Sequence, residues 1–263
     1  MTVLLPIRQV EKPWGREELP APFAAPEGTR IGEIWFEPPP ELDLLLVKYL
    51  FTSEKLSIQV HPPGTAGKEE CWLVLDAEPG AVLGVGFREG KEIGPEAMRT
   101  AALDGSIEDM LEWHPVKRGD FFYIPAGTVH AIGAGVSLVE IQQNNDVTYR
   151  LYDYGRPREL HLDDGIAVSL GRPLDPAMHR KLPEGGALRL VDGPWFRLDR
   201  VEGAPDAATA ARFSGPLLAI PLAGEISVAG QAVLPGQCAF APSLDQINFP
   251  GGTQCLLAQP YPN

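Results

Sequence analysis

Residues 56–75, LSIQVHPPGTAGKEECWLVL, bring together donor atoms that a divalent metal accepts: an amide in Gln59, an imidazole in His61 and two neighbouring carboxylates in Glu69 and Glu70. In an extended strand successive side chains point to opposite faces, so Ser57, Gln59 and His61 project one way while Ile58 and Val60 project the other. Pro62, Pro63 and Gly64 mark a turn, after which KEECWLVL reads as a second strand. Its alternation sets Lys68, Glu70 and Trp72 on one face and Glu69, Cys71 and Leu73 on the other. Period alone leaves either glutamate free to face the metal.

Positioning such groups needs a scaffold, and the composition describes one. The 263 residues suffice for one large domain or two smaller ones, with 44% hydrophobic and 22% charged residues. Twenty-eight glycines and 27 prolines scattered among short β-rich runs predict a turn-rich all-β fold. The net charge of −13 speaks against a nucleic acid or an anionic membrane as partner, since both require a basic field. No apolar run approaches the ~20 residues of a membrane span, and VLLPI lacks the features of a signal peptide, so a cytoplasmic location is the default expectation. Cys71, Cys238 and Cys255 form no CxxC pair and are expected as small core residues.

Along the chain, the first 40 residues read as covering strands and loops without chemistry, the KPWG segment included. Residues 41–61 read as two strands joined by a polar turn at residues 52–55, and WLVL and AVLGVGF as a hairpin or meander. Residues 95–113, PEAMRTAALDGSIEDMLEW, carry good helix formers and two helix starts, predicting one or two short inserted helices. Strands resume from Val116 to about residue 156. Residues 157–185 read as a polar connection, and further strands follow from Gly186. The expected division is residues 1–185, holding the metal site, and 186–263.

GDFFYIPAGTVH, residues 119–130, has the pattern of a strand, a tight turn and a second strand that begins on an inward histidine. GQCAFAPSLDQI, residues 236–247, repeats its glycine and proline at the same spacing but has Leu244 for the second glycine and Ile247 for the histidine. The pair marks an internal duplication in which the second copy has lost its ligand.

GDFFYIPAGTVH resembles the second conserved motif of the cupin superfamily. LSIQVHP, GKEECW and EIQQNNDVTYRLYDYGR resemble the type I phosphomannose isomerases, also called mannose-6-phosphate isomerases, in their short bacterial form; the likeness covers roughly residues 5–165. The resemblance implies tandem cupin barrels (double-stranded β-helices), one zinc ion per chain, and interconversion of mannose 6-phosphate and fructose 6-phosphate through an enediol. It places the ligands at Gln59, His61, Glu70 and His130, and so selects Glu70 over Glu69. It assigns the phosphosugar to Ser57, Lys68, Arg150 and Arg156. Lys68, Glu140 and Arg150 make the implied catalytic set, with Glu140 the first candidate for moving protons. His114, His161 and His179 are left as ordinary core or surface histidines, and Lys117 and Arg158 as surface residues. The competing reading is a non-catalytic cupin that binds a sugar or sugar phosphate as a sensor. An iron dioxygenase would prefer three histidines and a glutamate, which Gln59 disfavours.

Overall fold

The computed structural model describes residues 3–90 and 92–261. β-Branched and aromatic residues alternating with polar ones fold the chain into two pairs of facing antiparallel sheets, one pair in each half. In the N-terminal half, a seven-stranded sheet runs in the order Ile7–Arg16, Ile31–Phe36, Leu45–Phe51, Val136–Gln143, Glu70–Ala77, Asp120–Ile124, His179–Lys181. Facing it is a five-stranded sheet, Tyr149–Tyr152, Ile58–Val60, His130–Ile132, Val82–Phe87, Leu111–Pro115. The C-terminal half repeats the plan with five strands facing three.

The repeated motif occupies equivalent places in the two halves. Asp120–Ile124 pairs with Glu70–Ala77 and His130–Ile132 pairs with Ile58–Val60, while Ala239–Ala241 pairs with Leu217–Ala223 and Ile247–Asn248 with Ile226–Val228. Ile247 therefore sits where His130 sits in the first half.

Alternation decides what each face of the seven-stranded sheet does. Val47, Tyr49, Phe51, Cys71, Leu73, Val139 and Ile141 point away from the first barrel and join Phe196, Leu198, Leu218, Ile220 and Leu256 of the C-terminal half in one buried cluster. Leu50, Trp72, Val74, Leu138 and Phe122 point inward and form the floor of the first barrel. The sheet is thus covered on both faces. All three cysteines are buried and free.

The predicted helical insertion forms Pro95–Asp104 and Ile107–Met110, but the expectation ran too far: Leu111–Pro115 is an edge strand paired with Val82–Phe87. A proline at the first turn of Pro95–Asp104 and Gly105 at φ +86° after its end set its bounds. The connection expected at residues 157–185 holds structure of its own, the helix Leu162–Val168 and the strand His179–Lys181. Ile166 of that helix packs with Met98 and Leu151 over the outer face of the five-stranded sheet. Among the described residues no helix is long and apolar enough to cross a membrane.

Candidate metal centre

His61, Glu70 and His130 converge inside the first barrel, each buried, with their ligand atoms within 4.8 Å of one another. His130 opens its strand and pairs across with Gln59; Glu70 opens the strand Glu70–Ala77 beside the central strand of the facing sheet; His61 follows Ile58–Val60 directly. The loop of residues 62–69 between two of the ligands is tight, with Gly67 N–H donating to Gly64 O at 2.9 Å and Lys68 N–H to Pro62 O at 3.1 Å.

The tautomers suit metal binding. His61 Nδ1 donates to Val147 O at 2.9 Å and His130 Nδ1 to Thr128 O at 2.8 Å, which leaves both Nε2 lone pairs directed inward. His61 Nε2 lies 3.5 Å from Glu70 Oε2, and His130 Nε2 lies 3.6 Å from Glu70 Oε1. Glu70 Oε1 is buried and has no hydrogen-bond donor. Two imidazole lone pairs and an orphaned carboxylate oxygen facing one another are acceptors that a cation satisfies. Gln59 borders the cluster, its amide nitrogen 3.4 Å from His130 Nε2 and its oxygen accepting from Ser57 Oγ at 3.1 Å. Turned over, the same amide offers Oε1 to the cluster and its nitrogen to Ser57, whose hydroxyl can also accept.

Lys68 donates to Glu70, and its ammonium lies 3.1 Å from His61 Nε2 and 3.6 Å from Glu140 Oε1. Burial lowers both histidines, His130 to about 4 and His61 well below its ordinary range, with Lys68 adding to the effect. Both imidazoles are neutral, as ligands must be. Burial and the neighbouring Glu140 push Glu70 up to about 7, against the pull of Lys68. Burial would also lower Lys68, but Glu140 and Glu70 outweigh it and raise the ammonium above its ordinary value.

A single cross-strand row extends from the cluster to the sheet edge. Arg8 faces Trp35, Trp35 faces Lys48, Lys48 faces Glu140, and Glu140 faces Trp72. Glu140 accepts from Trp72 Nε1 at 2.9 Å and lies 3.3 Å from Lys48 Nζ. Burial raises the Glu140 carboxyl, yet Lys68 and Lys48 dominate and hold it at about 2. Lys48 itself is lowered by burial despite Glu140, and its ammonium sits 4.2 Å over the Trp35 ring.

Above this row lies a cavity of about 270 Å³ lined by Ser57, Gln59, Lys68, Glu140 and Arg150, and also by Lys12, Trp14, Glu33, Trp35, Lys48, Asp146 and Arg158. Basic residues outnumber acidic ones on this wall, in a chain whose net charge is −13. Arg150 donates through Nη1 to Glu159 O at 2.7 Å and keeps a buried Nε without a partner. Arg156 is not on the wall. Its Nη2 donates to Lys55 O at 2.7 Å and to Asp153 at 2.9 Å. Arg158, expected at the surface, lines the cavity instead and holds Asp153 through Nε and Nη2, both at 2.6 Å.

Sequence reasoning missed the N-terminal wall. Lys12 and Trp14 belong to the KPWG segment that was assigned no chemistry, and Lys12 pairs with Glu33 at 3.1 Å. The available signal was Lys48, a lone cation inside the apolar run LLLVKYLF, and the alternation that puts Glu33 and Trp35 on its face.

No family model matches the chain. Over 144 residues the chain is 42% identical to a protein of Streptococcus mutans named mannose-6-phosphate isomerase, a stretch that is 49% of this chain and 45% of that protein. The chain spans about half the length of the curated relatives it matches. The fold likeness reaches further. The mannose 6-phosphate isomerase of Bacillus subtilis superposes with a TM-score of 0.75 at 23% identity, covering 98% of this chain and 99% of that one. A zinc-bound mannose 6-phosphate isomerase superposes at 0.72 with 15% identity, covering 99% of each. This chain is similar to the mannose-6-phosphate isomerases in sequence over about half its length and in fold over nearly all of it.

Proposed function

We propose that the protein is a zinc-dependent aldose-ketose isomerase that interconverts mannose 6-phosphate and fructose 6-phosphate. The observation that carries this reading is the buried His61, Glu70 and His130 cluster, bordered by Gln59 and Lys68, which line a cavity with more basic than acidic residues. A relative 42% identical over 144 residues is named mannose-6-phosphate isomerase.

In this reading His61, Glu70 and His130 hold the zinc ion, with the Gln59 amide oxygen as the fourth ligand. Zinc bound there supplies a Lewis acid for the sugar oxygens at the reacting carbons. Lys68 now contacts the Glu70 and His61 atoms that a metal would take, and Glu140, 3.6 Å from its ammonium, would remain as its acceptor. Arg150, whose free Nε faces no protein acceptor, and Arg158 are the guanidinium groups placed to receive the phosphate, with Ser57 and Lys68 along the same wall. Both Arg156 and Arg158 hold Asp153, but only Arg158 lines the cavity, so Arg156 is set aside from this role.

The reaction removes a proton from C2, delivers one to C1 and shifts a hydroxyl proton, passing through the enediol without net redox change. Glu140 is a poor proton acceptor near neutral pH because Lys48, Lys68 and Trp72 all bind its carboxylate. It serves better as the anion that orients two lysines. Lys48, neutralised more readily than an exposed lysine and lining the cavity, is the better placed proton carrier.

The test is turnover of mannose 6-phosphate in a coupled assay beside zinc content. About one zinc per chain, with both metal and turnover lost in His61→Ala, is expected. Full activity without metal would overturn the reading, and tight sugar phosphate binding without turnover would favour a sensor.

A further inference from the structure

Glu69 lies between Lys68 and Glu70 in sequence but faces the opposite side of the sheet. Both of its peptide groups are fixed by Gln143: Glu69 N–H donates to Gln143 Oε1 at 2.9 Å, and Gln143 N–H donates to Glu69 O at 3.0 Å. Its carboxylate accepts from the Tyr123 hydroxyl, and the Trp195 side chain lies near enough to favour its charged form. Trp195 belongs to the C-terminal half, in the turn of residues 192–196 that links Leu188–Asp192 to Phe196–Glu202. The same turn bears on Tyr123 directly. A Cβ added at Gly193 would lie 2.6 Å from the Tyr123 hydroxyl, and the Phe196 ring is 6.3 Å from the Tyr123 ring.

We propose that the C-terminal barrel steadies the metal centre through this contact: the turn of residues 192–196 holds Tyr123 and Trp195 on Glu69, and Glu69 fixes the backbone from which Lys68 and Glu70 project. Glu69 is thus a positioning residue, reaching no substrate itself. The inference gives the ligand-free second barrel a part in the chemistry of the first, and it rests only on the metal-binding part of the function proposed above.

Partners that orient a ligand without touching the metal commonly change metal affinity by about tenfold or more when removed. Zinc-loaded protein would be mixed with excess chelator and zinc release followed with an absorbing dye, a readout that needs no substrate. Tyr123→Phe removes the hydroxyl donor to Glu69 and keeps the ring, and Trp195→Phe removes the indole N–H while leaving an aromatic side chain. Each is expected to release zinc about tenfold faster than the parent and, if the protein is an isomerase, to lower kcat with KM nearly unchanged. Leu218→Ala serves as the control, because Leu218 is buried in the same inter-barrel core on the strand Leu217–Ala223. It should lower the melting temperature and leave zinc release as it was. Unchanged release in both phenylalanine variants would overturn the proposal, and so would equal acceleration in Leu218→Ala. Absence of turnover with release accelerated as expected would sink the isomerase reading and leave this one standing.

Discussion

Glu140 shows how burial changes what a carboxylate can do. Unfolded, its carboxyl titrates near 4.5; folded, the flanking Lys48 and Lys68 hold it at about 2. A folded-state value below the unfolded one contributes stability that is present above about 4.5 and is lost as the pH falls toward 2. The contribution is on the order of 3 kcal/mol, and Glu140→Gln should remove at least that much at pH 7 because two buried lysines lose their shared anion. Denaturant unfolding of parent and variant at several pH values would show a gap that is wide at neutral pH and narrows in acid. A gap independent of pH would mean that Glu140 acts through packing and not through its charge. The sequence alone could not supply this. Lys48 in LLLVKYLF signalled a buried cation, but its partner lies in a strand 92 positions later, and only the register pairing Lys48 with Glu140 brings them together. Arg156 and Arg158 mark the same limit. They sit in a loop, where no periodicity says which of two arginines faces the cavity.

Elements were more legible where local chemistry was strong. The alternation of LSIQVH and of KEECWLVL orders the faces correctly, with Ile58 and Val60 buried outward against the helical layer and Glu70 and Trp72 turned inward. Lys68, however, precedes the strand, which begins at Glu70. Helix starts at proline and stops at glycine were readable at residues 95–105, whereas the Leu162–Val168 helix was hidden because it is short and is held by packing on Leu151 more than by propensity. The metal loop between the two strands yields a prediction at this scale. At Gly67 an added Cβ would meet Pro62 O at 2.6 Å and Gly64 O at 2.7 Å, both backbone atoms of the same loop. At Gly64, with φ +95°, nothing lies within 4 Å of an added Cβ. Gly64→Ala should therefore cost about 1 kcal/mol of backbone strain and keep its metal. Gly67→Ala must open the loop that spaces His61 from Glu70, so it should lose more stability, about 2–3 kcal/mol, and release zinc sooner. Thermal melts with and without zinc would separate the two, and equal behaviour would show that the loop is not under tension.

At the scale of the molecule, the inner face of the seven-stranded sheet carries the chemistry and its outer face carries the fold. The duplication was readable from the glycine and proline that recur at one spacing, but not the way its two copies meet, because each copy alone accounts for its own turns. They meet through apolar residues of the seven-stranded sheet, Val47, Tyr49, Phe51, Phe121, Val139 and Ile141 among them, buried against Phe196, Leu198, Leu218 and Leu256. Burying about six large side chains is worth on the order of 10 kcal/mol, which is comparable to the whole stability of a typical domain, about 5–15 kcal/mol. Residues 1–185 hold every group of the proposed centre, yet expressed alone they would expose that face to water. The fragment is expected to aggregate or to bind a hydrophobic dye such as ANS, to unfold without a sharp transition, and to hold zinc poorly even though its ligands are intact. Adding residues 186–263 as a separate chain should restore part of the cooperative melt, since the contact is a two-sided apolar core. A soluble fragment that melts cooperatively and binds zinc as the full chain does would show instead that the two barrels are energetically independent, and would leave the second without the supporting role that its contact with Glu69 implies.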